Sequence, residues 1–453
     1  MKNNKKSGIT RRNFLVNGAV ATAVISGFPF VHTTRAQQRV KPIRIAVDGC
    51  GGRGTGAVQN AIDAAPDVHL IAMADPFMDR IESSYKNLTN PPRRGAQRGG
   101  APPAPPRPPG QGIEVTKDHM FDGLDGYKKL LELDIDYVIL TEPPGFRARA
   151  LLAAIEAGKN VFAEKPLAVD VAGYRMVLEA GKLAQKKGLS ICVGYDKRHT
   201  LRCVELIKRI HDGQIGEITS GRSYYNTGFL WHRGDERPKW TEMEYQCRNW
   251  YYFCWLSGDQ IGEQTIHCID ATNWVNGGPP KVAIGDGGRI CRTDPKWGNI
   301  WDNMTIDYEY PNEVHWMTMM RQWDKVDRFG GDYLSFVVGT KGKADLRTGE
   351  ITGEKPWKYE GSRPQPKVYE HLELIESIRN GKPMNQAEPS AYSALTAVMG
   401  RESCYTGKTL TWDDMLKSDL DLFPKKCEFG PAPDHDIPIP GRFDPVSRKN
   451  ITI

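Results

Sequence analysis

Residues 43–56 read Ile-Arg-Ile-Ala-Val-Asp-Gly-Cys-Gly-Gly-Arg-Gly-Thr-Gly, and no other stretch limits the fold of this chain so tightly. Ile43, Ile45 and Val47 form a short β-rich run. Gly49, Gly51 and Gly54 then meet the spacing G-x-G-x-x-G, with Gly52 and Arg53 inside the loop, ahead of a helix-like segment at 57–65. The first glycine permits a tight turn, the second lets the backbone approach a pyrophosphate, and the third lets the helix pack close to the strand. The N-terminal N–H groups of that helix then face the phosphates. Residues 68–75 read as a second strand ending in Asp75, 21 residues after Gly54, where a carboxylate is expected to bind the ribose diol. A 2′-phosphate there would meet like charge, so the expected cofactor is NAD, with NADP the lesser alternative carried by Arg53 and Arg80.

A length of 453 residues points to two folded domains, and 39% hydrophobic with 26% charged residues is a globular composition. The first 36 residues stand apart. Lys2, Lys5 and Lys6 precede Arg11-Arg12, an apolar run over 16–30 and Thr34-Arg35-Ala36, the order of a twin-arginine export signal with a processing site. The apolar run is shorter than the roughly 20 residues of a spanning helix, so no lasting membrane span is expected after processing. This segment holds six of the 61 basic residues and no acid, which leaves the remainder balanced at 55 against 55. No nucleic-acid partner is expected from that balance. The nine cysteines form no C-x-x-C and no zinc spacing, so neither a metal nor a disulfide framework is indicated.

Between 90 and 112 lie eight prolines, five glycines and four arginines, an insert too poor in apolar side chains to build a core. Around it, short apolar strands alternate with helices. Residues 121–133 read as a helix, 135–140 as a strand, 148–157 as a helix, 160–163 as a strand, 171–187 as a helix and 190–193 as a strand. That alternation is the mark of a doubly wound α/β domain with a parallel sheet, whose ligands sit beyond the carboxyl ends of the strands. Pro143, Glu164-Lys165-Pro166 and Gly194-Tyr195 fall at such ends.

The glycine loop, Glu164-Lys165-Pro166 and Val193-Gly194-Tyr195-Asp196-Lys197-Arg198 together resemble the Gfo/Idh/MocA oxidoreductases. The likeness reaches Asn380-Gly381-Lys382-Pro383 and the run from Gly400-Arg401-Glu402 to Thr411-Trp412. It implies a Rossmann domain over 37–193, an α+β domain over 194–416 with an open, largely antiparallel sheet that serves substrate binding and oligomerisation, and a tail over 417–453.

A helix is expected over 257–275, on which Glu263, His267 and Asp270 at i, i+4 and i+7 share a face. The resemblance implies that His267 is the general acid or base, that Lys165 orients and polarises the reacting hydroxyl, and that Glu263 stands in for an aspartate. It also implies that Pro143, Glu164 and Lys165 meet the cofactor. Arg147 occupies a position where many members have histidine. Tyr195, Arg198, His199 and Asp270 are candidates for binding substrate. Nine of the eleven tryptophans fall between 231 and 323, a composition suited to sugar rings though more often spent on core packing.

The expected function is an exported, homo-oligomeric oxidoreductase that moves a hydride between a tightly held nicotinamide and a secondary hydroxyl of a sugar, polyol or glycoside in the periplasm. One alternative is an NAD-dependent glycosidase that works by oxidation, elimination and re-reduction. A second is a non-catalytic sugar-binding protein on the same fold.

Overall fold

The structure, a computed structural model, describes residues 41–90, 108, 110–234, 239–327 and 334–452. The export signal read in 1–36 and all of the insert 90–112 except residues 90, 108 and 110–112 lie outside the described residues.

Six parallel strands form the first sheet: β1 (Ile43–Asp48), β2 (Val68–Asp75), β3 (Met120–Asp122), β4 (Tyr137–Leu140), β5 (Asn160–Ala163) and β6 (Ile191–Val193), in the order β3-β2-β1-β4-β5-β6. The chain reverses direction across the sheet between β1 and β4, which opens a crevice at their carboxyl ends. Side chains alternate across the pleat. Ile43, Ile45, Val47, Ile139 and Phe162 enter one core, while Ala46, Val138, Leu140 and Val161 enter the other.

The helix expected over 121–133 is corrected in part. Residues Met120–Asp122 instead pair with β2 as an edge strand, Gly123 turns the chain with a positive φ, and the helix runs only over Gly126–Glu132. Phe121 is spent on the strand, so its apolar spacing to the helix misled.

The second sheet has nine strands: β7 (Ile218–Thr227), β8 (Val282–Gly288), β9 (Asn303–Tyr310), β10 (Val314–Gln322), β11 (Leu334–Gly339), β12 (Gly342–Asp345), β13 (Glu350–Gly353), β14 (Trp357–Lys358) and β15 (Leu410–Thr411). Their order is β14-β13-β12-β11-β7-β10-β9-β8-β15, and only β7 and β10 run parallel. Along β10, Val314, Trp316, Thr318 and Met320 turn inward while His315 and Met317 are exposed. Helices Ile266–Asn276 and Ala387–Thr406 pack against this sheet, the second almost wholly buried.

Helix Pro366–Arg379 returns to the first sheet. Leu374 and Ile375 share a core with Val58, Phe162 and Cys192, and the His371 ring lies 4.1 Å from that of Phe162. No disulfide joins any two of the nine cysteines. Among the described residues no helix is long and apolar enough to cross a membrane.

Candidate active site

The glycine loop leads straight into helix Gly52–Ala64. Gly49 sits at φ +92°, and a Cβ at Gly54 would run into the Gly49 carbonyl oxygen, so strand and helix touch only because both positions are glycine. At Gly51 and Gly52 a Cβ would meet nothing within 4 Å. The helix has no side-chain cap and no acid in its first turn. Its unpaired N–H groups therefore face open space with the positive end of the helix dipole behind them, which fits a pyrophosphate. Asp75 ends β2 and is buried; its carboxylate accepts the Cys50 N–H at 2.8 Å and the Phe77 N–H at 3.0 Å, and burial pushes its pKa up to about 6 against those bonds. These residues fit a bound dinucleotide.

A cavity of about 360 Å³ opens beside the loop at the carboxyl ends of β4, β5 and β6. Arg53 of the loop lines it together with Lys165, Glu263 and His267. The Lys165 ammonium donates to the Glu263 backbone oxygen at 2.6 Å and lies 3.1 Å from its Oε1. Burial raises the Glu263 pKa while Lys165 pulls it back. Burial, aided by the Lys165 charge, lowers His267 to about 4, so the imidazole is neutral at pH 7. His267 Nδ1 lies 3.5 Å from Asp196 Oδ1, which favours the tautomer with the proton on Nδ1.

Lys165, Glu263 and His267 are held together by a break in the helix expected over 257–275, which is corrected here. Cys254–Ser257 is a separate turn, Gly258 and Asp259 both take positive φ, Ile261–Thr265 is a π-helical turn, and the α-helix proper is Ile266–Asn276. Such wide turns gather at functional sites. This one leaves Glu263 able to meet Lys165 through its carbonyl as well as its carboxylate. Asp270 does not share their cavity. It is buried against Arg198, at 2.8 Å from Nη2, and takes a hydrogen bond from Ser393.

The remaining substrate-binding candidates also lie outside the cavity lining. Tyr195 is fully buried, and His199 is buried with Nδ1 2.5 Å from Glu373. Pro143 caps helix Pro144–Glu156. Glu164 faces the cavity: burial acts to raise its pKa, but Arg53 and Lys165 prevail and hold it at about 2. Arg147 is buried and donates to the Pro166 and Glu142 carbonyls, bracing the segment that carries Lys165.

Sequence reasoning did not single out several lining residues: Glu142, Asp196, Trp250, Lys367 and Glu370. Glu142 lies two residues beyond the end of β4, a position the strand-end rule could have flagged. The last two belong to a helix more than 150 residues further on, and no local signal connects them to the site. Among the described residues no group of three or more His, Cys, Asp or Glu is placed to hold a metal ion.

Residues 43–195 match the family model described as "Oxidoreductase family, NAD-binding Rossmann fold", and residues 204–345 match "GFO/IDH/MocA C-terminal domain". Among curated relatives, scyllo-inositol 2-dehydrogenase (NAD(+)) of Bacillus subtilis is 26% identical over 68% of this chain and 74% of its own length. The 2,7-anhydro-N-acetylneuraminate hydratase of Escherichia coli is 25% identical over 48% of this chain and 53% of its own length. The chain thus spans only about half the length of some of the relatives it matches. Among solved structures, aldose-aldose oxidoreductase of Caulobacter crescentus superposes with a TM-score of 0.60 at 16% identity, over 82% of this chain and all of that one. That likeness is one of fold.

Proposed function

Because the chain belongs to the Gfo/Idh/MocA oxidoreductase family, we propose that it moves a hydride between NAD and a secondary hydroxyl of a sugar, polyol or glycoside. The observation that carries this reading is the meeting of Lys165, Glu263 and His267 in one cavity with the glycine loop's Arg53. When bound, the nicotinamide accepts a hydride from carbon and returns one. Loss of hydride from a carbinol carbon leaves positive charge on it unless the hydroxyl proton departs as well, and neutral His267 takes that proton. The Lys165 ammonium, anchored on Glu263, stabilises the oxygen as it gains alkoxide character. Glu164 and the free N–H groups after Gly51 bind the cofactor, and Asp75 at the ribose end favours NAD over NADP.

The proposal extends to location and cofactor traffic. The Arg11-Arg12 segment supports export by the twin-arginine route, and a compartment without a free NAD pool requires a cofactor that is loaded beforehand and held. The hydride is then returned within the same site. A homo-oligomer built through the open second sheet belongs to the same reading.

A second reading is favoured by one comparison. A relative named as a hydratase catalyses a reaction with no net redox change, and a held cofactor suits such a cycle. Oxidation, elimination and re-reduction of a glycoside would likewise cleave it without consuming NAD.

The test is to identify the nucleotide that co-purifies, by mass and redox state, and then to supply free sugars and aryl glycosides without added NAD. Paired ketone and alcohol products support hydride exchange, and released aglycone supports cleavage. Protein that neither carries nor takes up a dinucleotide is the sugar-binding alternative, and both enzyme readings are lost.

A further inference from the structure

Arg53 stands in the first turn of helix Gly52–Ala64. Its Nε lies 2.5 Å from Glu164 Oε1, and its Nη2 lies 3.6 Å from Glu370 Oε1, an ion-pair distance too long for a hydrogen bond. Glu370 is only 1% exposed, yet both of its carboxylate oxygens and Arg53 Nη2 lack a hydrogen-bond partner among the described residues. All three residues line the cavity, with Lys367 one helical turn before Glu370. A buried, under-bonded charge is costly, and a carboxylate held so close to a phosphate-binding loop is at odds with binding an anion unless it acts on a cation placed between.

We propose that Arg53 is a latch on the cofactor's pyrophosphate, set by Glu164 from one side and by Glu370 of helix Pro366–Arg379 from the other. The latch rests on the reading that this cavity takes a dinucleotide. Arg53 follows the loop whose N–H groups face the phosphates, and a guanidinium presents several donors in a fixed fork. Nε is committed to Glu164, and Nη2, which lies 3.6 Å from Glu370 without a hydrogen bond, is left for a phosphate oxygen. Glu370 is a positioning residue in this arrangement, and its helix cannot drift. Leu374 and Ile375 are buried in the first sheet's core, and His371 Nδ1 lies 3.4 Å from the Tyr137 hydroxyl. The latch therefore ties the phosphate loop to chain more than 300 residues away, and retention of the cofactor depends on both domains being folded together.

The experiment follows release of NADH from the full chain by its fluorescence after a chase of excess NAD. Burial and Glu164 raise the Glu370 pKa while Arg53 opposes them, and Glu370→Gln, which removes the carboxyl group facing Arg53, is expected to speed release by about tenfold. A carboxylate that merely repelled the pyrophosphate would give the opposite sign, so slower or unchanged release overturns the latch. Arg53→Lys keeps the positive charge but loses the fork, and faster release is expected again. In the double variant the two effects do not add, whereas additive effects also overturn the proposal. Should Glu370→Gln fail to fold, Arg53→Lys alone decides by the same sign. Wild-type protein that binds no NADH refutes the function proposed above, while tight wild-type binding with unchanged variants refutes only the latch.

Discussion

A histidine can serve as a base only while it is neutral, and His267 is kept neutral by burial and by the positive charge of Lys165, which together lower it to about 4. The acid limb of kcat/KM is therefore expected near pH 4 and not near the ordinary histidine value of about 6.5. The same shift has a sign in stability. In the unfolded chain this histidine takes up its proton near 6.5, while the folded chain resists until about 4, so stability from this group falls as pH drops through that window. Denaturant unfolding between pH 7 and 4 checks it, because His267→Asn flattens that part of the curve. His267→Asn should also lower kcat/KM by about 10²–10⁴-fold with bound dinucleotide retained. Glu263→Asp shortens the arm that meets Lys165 at 3.1 Å but leaves the 2.6 Å carbonyl contact in place. Steady-state kinetics should show the smaller loss for Glu263→Asp and the larger for Lys165→Met, which removes the charge outright.

Elements whose ends are written locally were legible in the chain. Strands β2 and β5 and helix Val171–Lys187 have the bounds their sequence suggests, the helix opening on Asp170, whose side chain takes the Gly173 N–H, and closing on Gly188 in the left-handed region. The glycine loop is equally local. Gly54→Ala should force strand and helix apart, costing about 1–3 kcal/mol and lowering dinucleotide affinity, which urea unfolding and NADH titration would read. The site's remaining parts are set by contacts that sequence periodicity does not carry. A regular helix over 257–275 would have kept Glu263, His267 and Asp270 on one face. The two positive-φ residues and the π turn separate them, and Asp270 is spent on Arg198 and Ser393. Lys165 and His267 were legible through motif and resemblance, whereas Glu370 reaches the cavity only because its helix packs on the other domain.

At the scale of the molecule the stretch over 420–448 joins the two domains. The Leu420 carbonyl accepts the Val171 and Ala172 N–H groups, and Asp170 accepts the Leu422 N–H at 2.8 Å, which fastens the tail to the first domain. Further on, the Trp301 indole donates to the Pro438 carbonyl and Gly441 N–H to that of Thr406, which fastens it to the second. A further tie is electrostatic. Arg448 Nη1 lies 2.6 Å from Glu402 Oε2, Arg401 Nε lies 2.9 Å from Glu402 Oε1, and all three side chains are buried in or against helix Ala387–Thr406. Burial alone would raise the Glu402 pKa, but the two arginines prevail and lower it. Arg448→Met leaves that carboxylate with one partner in a low-dielectric site and should cost about 3–5 kcal/mol in urea unfolding. Adding Glu402→Gln removes the stranded charge while keeping an acceptor for Arg401, so the double variant is expected to be more stable than Arg448→Met alone. If the double variant is the weaker of the two, the tie is one of packing and not of charge.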